Sequence, residues 1–286
     1  MKQAFVPVKL SPQKLEMLAI IQKIIKEFQA MGYKLTLRQL YYQRVSKDLI
    51  ANKQPEYSKI SSLLKDGRMM GLIDWNAIED RLRVPRIPYC CDNIQDALQD
   101  TADQYRIDRC RNQDVYIEVW VEKDALSSIL YRVTEYYHVR LMVNRGYTSC
   151  SAMYEAYQRM LRQGKSCTIL YLGDHDPSGL DMVRDIKNRF EEFGLDIEVQ
   201  KIALTTEQVK AYNPPPNPAK ITDPRAKGYI EKFGPVSWEV DALKPNVLDK
   251  LLRESVESVI DMDLFNEVIL NEENQRNRLY EIAGAY

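Results

Sequence analysis

The alternation of apolar and helical segments between residues 115 and 204 restricts the fold more than any other feature of the sequence. Four segments are short and apolar: 115–121, 138–143, 167–173 and 195–204. Helical stretches of about 15 residues separate them. Strands joined by helices form parallel sheets with right-handed crossovers, so we predict an α/β domain with its functional residues at the carboxyl ends of the strands.

Two of these predicted strands end in acidic residues. Glu122 follows "VYIEVWV", and Asp174 follows "CTILYLG" with Asp176 two residues later. Side chains alternate along an extended segment, so Asp174 and Asp176 should point to the same side. His175 should point to the opposite side and serve packing rather than metal binding.

The three carboxylates should converge if the first and third strands are neighbours in the sheet. Three close anions remain ionised only when a cation neutralises them, and Mg²⁺ favours carboxylates together with waters and phosphate oxygens. We therefore predict a magnesium site formed by Glu122, Asp174 and Asp176. The alternative is that these are ordinary loop residues and helix caps, because Asp is common where a strand leads into a helix.

Three helices are predicted before residue 71. Residues 11–30 carry apolar side chains at helical spacing, and further helices are expected at 37–50 and 57–70. The segment 71–84 is compatible with a short strand pair, so this part is typical of a winged helix, whose third helix enters the DNA major groove. The exposed residues of that helix that we expect to contact DNA are Lys59, Ser62, Lys65 and Arg68.

Charge is distributed unevenly along the chain. Residues 1–90 contain 16 Lys and Arg against 8 Asp and Glu, whereas residues 91–286 contain 24 against 33. A basic amino-terminal part can bind a polyanion, and an acidic remainder can hold cations. Ordinary charge clustering would give the same totals.

The bulk composition indicates a soluble protein of the cytoplasm with no membrane partner. No apolar run approaches the ~20 residues of a membrane span, and the first residues lack the apolar core of a signal peptide. The five cysteines are scattered without a C-x-x-C pair, which argues against a zinc site or a disulfide framework.

The segments "VEKDALSSIL" and "GDHDPSGLDM" together resemble the Toprim domain of topoisomerases, in which a strand-end Glu precedes an Asp-x-Asp pair and a nearby Gly. The Asp-x-Asp-Pro-x-Gly form at 174–179 is most similar to the A subunit of topoisomerase VI and its relatives. These relatives include the meiotic double-strand-break protein, the small phage and mobile-element A-like proteins (Mini-A), and the nuclease subunit of the Wadjet plasmid-defence system.

A second motif supports this resemblance. The family places a winged helix before Toprim and carries its nucleophilic tyrosine in a motif resembling Arg-x-x-Tyr-Tyr. This chain has "TLRQLYYQ", with Arg38, Tyr41 and Tyr42 in the expected order. The resemblance covers residues of about 30–80 and 112–205 and is weaker beyond them.

The resemblance implies four parts: a winged helix with the tyrosine (1–90), a linker helix (91–113), a Toprim domain (114–205) and a helical carboxyl-terminal extension packed on it (206–286). It implies Mg²⁺-dependent cleavage of both DNA strands, with rejoining as an option, through a 5′-phosphotyrosyl link. Tyr42 would be the nucleophile, and Arg38 would hold the scissile phosphate with a fork of donors that Lys lacks.

The resemblance also bears on partners and location. It implies a homodimer in which the tyrosine of one subunit works beside the metal site of the other. The sequence has no Gly-rich ATPase signature, so strand passage coupled to ATP would need a separate ATPase subunit. A prokaryotic, phage or mobile-element protein associated with the nucleoid is expected. Lys123 and Arg145 are additional candidate DNA contacts.

Helical spacing separates the two tyrosines. Tyr41 belongs to an apolar i, i+4 row with Leu37 and Val45, whereas Tyr42 belongs to a polar row with Arg38. We therefore expect Tyr41 to be packed and Tyr42 to face DNA.

Two alternatives to the transesterase remain open. A Toprim nuclease that uses metal-activated water, like the Wadjet subunit, would cleave DNA without a covalent intermediate. A DNA-binding protein with a decayed site would show neither metal dependence nor cleavage. Near the carboxyl terminus, Glu239 and Asp241 in "SWEVDAL" are expected to be surface charges.

Overall fold

A computed structural model describes residues 1–47, 49–79, 88–144 and 146–285 of the chain. Within these residues, the chain forms an amino-terminal group of helices, a four-stranded parallel sheet with helices on both faces, and a carboxyl-terminal extension. This is a mixed α/β architecture, as the alternation of segments predicts.

The three amino-terminal helices form as the apolar spacing predicts, and they are α1 (Pro12–Ala30), α2 (Leu37–Ser46) and α3 (Gln54–Met69). The side chain of Ser11 caps α1, and Thr36 and Gln39 form a capping box at the start of α2. Buried apolar side chains from all three helices share one core, including Leu18, Leu40 and Ile60.

The strand pair expected at 71–84 is absent from its described part. A 3₁₀ turn at Trp75–Ala77 stands there instead, capped by Asp74, whose Oδ1 accepts a hydrogen bond from Asn76 N. Ile78 then bridges to Leu35 rather than to a neighbouring strand. The capped turn bends the chain where the expected first strand would run, and residues 80–87 lie outside the described residues.

The sheet contains β1 (Val115–Val121), β2 (Arg140–Val143), β3 (Ser166–Leu172) and β4 (Glu198–Ala203) in the order β2-β1-β3-β4. All three strand pairings are parallel. The condition that the first and third strands are neighbours is therefore met. The chain places β2 on one side of β1 and then crosses back to place β3 on the other side, so the strand order reverses between β1 and β3.

Helices cover both faces of the sheet. Alternate residues of β1 point to opposite faces, so Val119 and Val121 meet one apolar layer while Trp120 meets the other. The helices of this part are α4 (Ile94–Gln104), α5 (Ser127–Tyr137), α6 (Cys150–Leu161) and α7 (Pro177–Glu192).

The carboxyl-terminal extension packs back onto the sheet. Its elements are α8 (Thr206–Tyr212), β5 (Pro216–Pro218), α9 (Ala226–Phe233), β6 (Val236–Trp238), a 3₁₀ turn at Val240–Ala242, α10 (Pro245–Glu257) and α11 (Met262–Gly284). β5 and β6 pair in antiparallel fashion. His175 and Trp238 exchange backbone hydrogen bonds of 2.8 and 3.0 Å, so the 3₁₀ turn is fixed beside the end of β3.

None of the helices in the described ranges has the length and apolarity needed to cross a lipid bilayer.

Candidate active site at the carboxyl edge of the sheet

Glu122 and Asp174 meet where β1 and β3 end. Their strands are hydrogen-bonded neighbours, and an oxygen of the Glu122 carboxylate accepts a hydrogen bond from Asp174 N at 3.0 Å. The two acids that the sequence places at separate strand ends are therefore adjacent in space, as parallel pairing requires.

Asp174 is nearly inaccessible to solvent, with both carboxylate oxygens engaged. Oδ1 accepts a hydrogen bond from Val240 N at 2.8 Å, and Oδ2 lies 2.9 Å from Lys123 Nζ. Burial raises the pKa of Asp174 to about 7, against the lowering effect of the Lys123 ammonium. The carboxyl thus depends on its cationic neighbour to remain ionised.

Asp176 caps α7 and also faces the site. Its Oδ1 accepts hydrogen bonds from Gly179 N at 2.6 Å and from the Ser178 hydroxyl at 3.0 Å. A Cβ at Gly179 would lie 2.3 Å from Asp174 O, so only glycine permits this tight turn between strand and helix. The helix-cap alternative therefore describes Asp176 correctly, although the same residue also lines the cleft described below.

His175 points away from the two aspartates, as alternation predicts. Its Nδ1 lies 2.9 Å from the Tyr229 hydroxyl and its Nε2 lies 3.0 Å from the Thr206 hydroxyl. The ring also packs edge-on against Phe233 and Trp238. His175 thus anchors the carboxyl-terminal extension to the end of β3.

Lys123 lies inside the acidic cluster. Besides Asp174, its ammonium contacts Glu239 at 2.7 Å and Asp241 at 3.1 Å, and only 14% of its side chain is exposed. Three carboxylates surround the ammonium, and the contact of this residue with a DNA phosphate stays a prediction. The Lys123 ammonium therefore places a positive charge among these carboxylates.

Glu239 and Asp241 are central to the site, and the expectation that they are surface charges is wrong. Asp241 is 1% exposed, and Glu239 is partly buried. The Val240–Ala242 turn carries both side chains to the strand ends because Asp174 and His175 hold its backbone. Glu239 and Asp241 have the same acid-x-acid spacing as Asp174 and Asp176. This spacing is the feature of the sequence that could have indicated that they belong to the site.

Arg38 joins α2 to this turn. Its Nη2 lies 2.7 Å from Glu239 and its Nε lies 2.8 Å from Asp241. The guanidinium also packs over the Tyr42 ring, 5.5 Å from the ring centre. Two ion pairs and the ring contact therefore fix Arg38 between the tyrosine and the acids.

Tyr42 points at the acids of the sheet domain rather than outward. Its hydroxyl donates to Glu239 at 2.5 Å and receives a 3.4 Å contact from Arg38 Nη2. Burial raises the pKa of the phenol above its ordinary value, and the negative charges of Asp241 and Glu239 add to this.

The expected division between a packed Tyr41 and an exposed Tyr42 holds only for Tyr41. The residues are 5% and 6% exposed, and the Tyr41 hydroxyl donates to Asn52 at 2.7 Å. The polar row of α2 is covered because the 239–241 turn packs against it, and helical periodicity alone does not reveal a covering segment from another part of the chain.

Tyr42 lines two neighbouring clefts. One, of about 300 Å³, is lined by Tyr42, Asp174 and Asp176, with Lys220 at its wall. The other, of about 430 Å³, contains Arg38 and Tyr57. The residues that line both clefts are Tyr42, Asn52 and Glu239. Tyr42 thus shares one cleft with Asp174 and Asp176 and the other with Arg38.

Residues of the Pro-rich segment complete the site. Asn217 in β5 donates to Glu239 at 3.2 Å and receives a hydrogen bond from the Asn52 amide.

Lys201 in β4 donates to the carbonyl oxygens of Asp174 and Gly179 at 2.6 and 3.1 Å, and burial lowers its pKa to about 8. The sequence alone indicates no role for Asn217 or Lys201.

The donor chemistry at this edge suits a hard cation such as Mg²⁺, because carboxylate oxygens from Glu122, Asp174 and Asp176 come from adjacent chain segments. Among the residues that the structure describes, however, no three acidic, imidazole or thiol side chains have the spacing of a metal site. Lys123 pairs with Asp174 in this arrangement. The cluster is thus balanced by cations of the chain itself.

The candidate DNA contacts on α3 differ in their surroundings. Ser62 and Lys65 are exposed, and Lys59 is exposed beside Glu56. Arg68 donates to the carbonyl oxygens of residues 75 and 78, which stabilises the turn after α3. Arg145 lies outside the described residues.

In comparisons with known proteins, the chain matches no family model and no curated protein sequence.

Proposed function

We propose that this protein cleaves DNA by transesterification, with Tyr42 as the nucleophile, in the manner of the topoisomerase VI A subunit. The observation that carries the proposal is that Tyr42 lines the same cleft as Asp174 and Asp176, with Arg38 3.4 Å from its hydroxyl. A phenol, a guanidinium and a strand-end acid cluster are the groups that phosphoryl transfer to tyrosine requires.

In the proposed step, the phenol oxygen attacks a backbone phosphorus atom. A bond forms between the tyrosine oxygen and phosphorus, the bond from phosphorus to the 3′ oxygen breaks, and that oxygen leaves as a hydroxyl with the proton lost by the phenol. The product is a 5′-phosphotyrosyl link, and the reverse reaction restores the strand. Arg38 would stabilise the charge on the phosphate once DNA replaces one of its carboxylate partners.

Glu122, Asp174 and Asp176 are the residues that would hold Mg²⁺. A bound ion would stabilise negative charge on the phosphate and on the leaving oxygen. Lys123 offsets the repulsion among these acids in the absence of an ion, since its ammonium contacts three carboxylates.

The DNA would lie across the amino-terminal helices. Residues 1–90 carry the excess of basic side chains, and a cleft of about 500 Å³ beside Arg38 includes Lys65 and Arg68. We propose that these helices form a winged-helix module and that the sheet is a Toprim domain. Cutting both strands would take a symmetric dimer, and strand passage would take a separate ATPase.

A metal-dependent nuclease without a covalent intermediate is the second candidate. The burial of Tyr42 and the raised pKa of its phenol favour it, because both oppose ionisation of the nucleophile. In that case, water would attack the phosphate and Tyr42 would serve packing.

Uniformly ³²P-labelled supercoiled DNA, incubated with the protein and Mg²⁺ and then denatured, separates these candidates. The transesterase predicts label that stays with protein until protease is added. The nuclease predicts cleaved DNA with free 5′ ends, and a DNA-binding protein predicts no cleavage. Chelation of divalent cations with EDTA should abolish either cleavage reaction.

A further inference from the structure

The hydroxyl of Tyr171 is buried without a hydrogen-bond partner among the residues that the structure describes. Tyr171 belongs to β3, three positions before Asp174, and its side chain is 0% exposed. A buried hydroxyl gives up its hydrogen bonds to water on folding, so most such groups have a partner inside the protein. An exception calls for a physical explanation, such as an ion that binds nearby.

Gly173 leaves the room that the Tyr171 ring occupies. Positions 171 and 173 face the same side of β3 because side chains alternate along a strand. A Cβ at Gly173 would lie 2.5 Å from the Tyr171 hydroxyl oxygen and 2.6 Å from the ring carbon Cε1. The ring is fixed there because it packs in the same apolar layer as Trp120 and Phe190. The tyrosine thus extends over Gly173 toward the carboxyl end of its own strand.

At that end the hydroxyl faces the strand-end acids. Burial raises the pKa of the Tyr171 phenol, and the negative charges of Glu122, Asp174 and Asp176 raise it further. Glu122 has the largest effect of the three, and the hydroxyl approaches its carboxylate without reaching the geometry of a hydrogen bond. Because the hydroxyl is covered, it cannot reach DNA, but it can act as a donor to these carboxylates.

We propose that Tyr171 is a positioning residue for the magnesium site, whose hydroxyl donates to Glu122 when the ion is bound and fixes the direction of that carboxylate. Glu122 already accepts a hydrogen bond from Asp174 N at 3.0 Å, so a second donor would hold its carboxylate from two sides. Donors outside a metal site commonly orient its ligands in this way. The inference rests on the magnesium site of the proposed function, and it applies whichever subunit supplies the nucleophile.

Removal of the hydroxyl separates this role from packing. Tyr171→Phe keeps the ring in its apolar layer and removes only the donor. The affinity of the full chain for Mg²⁺, measured by isothermal titration calorimetry without DNA, should fall by about tenfold or more. Equal affinities of the variant and the wild-type protein, or no Mg²⁺ binding by the wild type, would overturn the inference.

Melting temperatures without Mg²⁺ give a second readout. The Tyr171 hydroxyl has no partner among the described residues, so its loss should lower the melting temperature by less than about 1 °C. Tyr137→Phe is the matched control, because Tyr137 is equally buried in α5 but donates to Glu257. This control should melt about 2 °C or more below the wild type and keep its Mg²⁺ affinity within about twofold.

Two results in this pair of variants would contradict the positioning role. One is a melting temperature of Tyr171→Phe as low as that of Tyr137→Phe, because the hydroxyl would then serve the fold itself. The other is an equal loss of Mg²⁺ affinity in both variants.

The inference and the proposed function can fail separately. If the wild-type protein binds Mg²⁺ but neither cleaves DNA nor forms an adduct, the proposed function fails, while the comparison of affinities still decides the role of Tyr171. If the wild type cleaves DNA and Tyr171→Phe binds Mg²⁺ as tightly as the wild type, the inference fails and the proposed function stands.

Discussion

The ammonium of Lys123 lies 2.9 Å from Oδ2 of Asp174, at the point where two adjacent parallel strands end. The same ammonium contacts Glu239 and Asp241, and these four residues form the charged centre of the candidate site. The repulsion between strand-end acids is thus offset by a side chain that follows the first of them.

Replacing Lys123 by Met should destabilise the fold. The change leaves buried carboxylates without their shared cation, and breaking a buried ion pair from one side costs about 3–5 kcal/mol. The free energy of unfolding from urea denaturation measures the effect, and Lys187→Met at an exposed site on α7 should stay within about 0.5 kcal/mol of wild type. A loss below about 1 kcal/mol would show that Lys123 does not balance the cluster.

Magnesium should stabilise the Lys123→Met variant more than the wild-type protein. An ion that binds the folded state raises the melting temperature, and the variant lacks the ammonium that competes for the Asp174 carboxylate. Thermal melts at several MgCl₂ concentrations, with KCl at matched ionic strength as control, measure the shift. Equal shifts with both salts would count against a magnesium site at these acids.

The Phe variants of Tyr41 and Tyr42 should differ in activity but have similar stability. Phe at either position removes a hydroxyl with one short hydrogen bond, to Asn52 for Tyr41 and to Glu239 for Tyr42, and one 3.4 Å contact, at a cost of about 1 kcal/mol for each short bond. Only Tyr42→Phe should abolish the DNA adduct, and DNA affinity should remain near wild type for both variants. An adduct that persists in Tyr42→Phe and disappears in Tyr41→Phe would reverse the assignment.

Gly179→Ala should disrupt the turn that joins β3 to α7. Its new Cβ would lie 2.3 Å from Asp174 O, so the segment that carries both aspartates must shift. We expect a loss of at least about 2 kcal/mol in unfolding free energy. Gly228→Ala is the control, since nothing lies within 4 Å of its new Cβ and a helical Gly-to-Ala change stabilises by up to about 1 kcal/mol. Similar stabilities for the two variants would refute the steric argument.

Lys201 should make the free energy of unfolding depend on pH in the alkaline range. Burial lowers its pKa from 10.5 to about 8 in the folded protein, so between these values the unfolded chain binds more protons. The free energy of unfolding should therefore increase as pH rises from about 8 to 10.5. The gain is lost as pH falls back through about 8. Relative to Lys201→Met, the wild-type protein should gain about 2 kcal/mol between pH 7.5 and 9.5. A parallel pH dependence of the two proteins in urea unfolding would contradict the shift.

Local patterns in the sequence are sufficient to predict the parallel sheet and about half of the candidate site. Apolar segments and intervening helices give the parallel sheet, and the strand-end positions of Glu122 and Asp174 bring these residues together once β1 and β3 pair. Alternation along the chain also gives the direction of His175.

The remainder depends on contacts between distant parts of the chain. Arg38 meets Asp241 across 203 residues, and Asn52 meets Asn217 across 165. Helical periodicity indicates which face of α2 is polar but not which segment covers it, so the burial of Tyr42 was missed. The position of Lys123 was missed because the residue after a strand can turn outward or inward, and the acids that attract it inward come from the carboxyl-terminal extension.

The most direct test of the account identifies the residue that DNA modifies. Protein trapped on DNA in the presence of Mg²⁺ is digested with nuclease and trypsin, and the peptide of residues 39–44, which contains both tyrosines, is fragmented in a mass spectrometer. The expected product is a nucleotide joined through its 5′ phosphate to Tyr42. Cleaved DNA with an unmodified peptide, or a nucleotide on Tyr41, would contradict it.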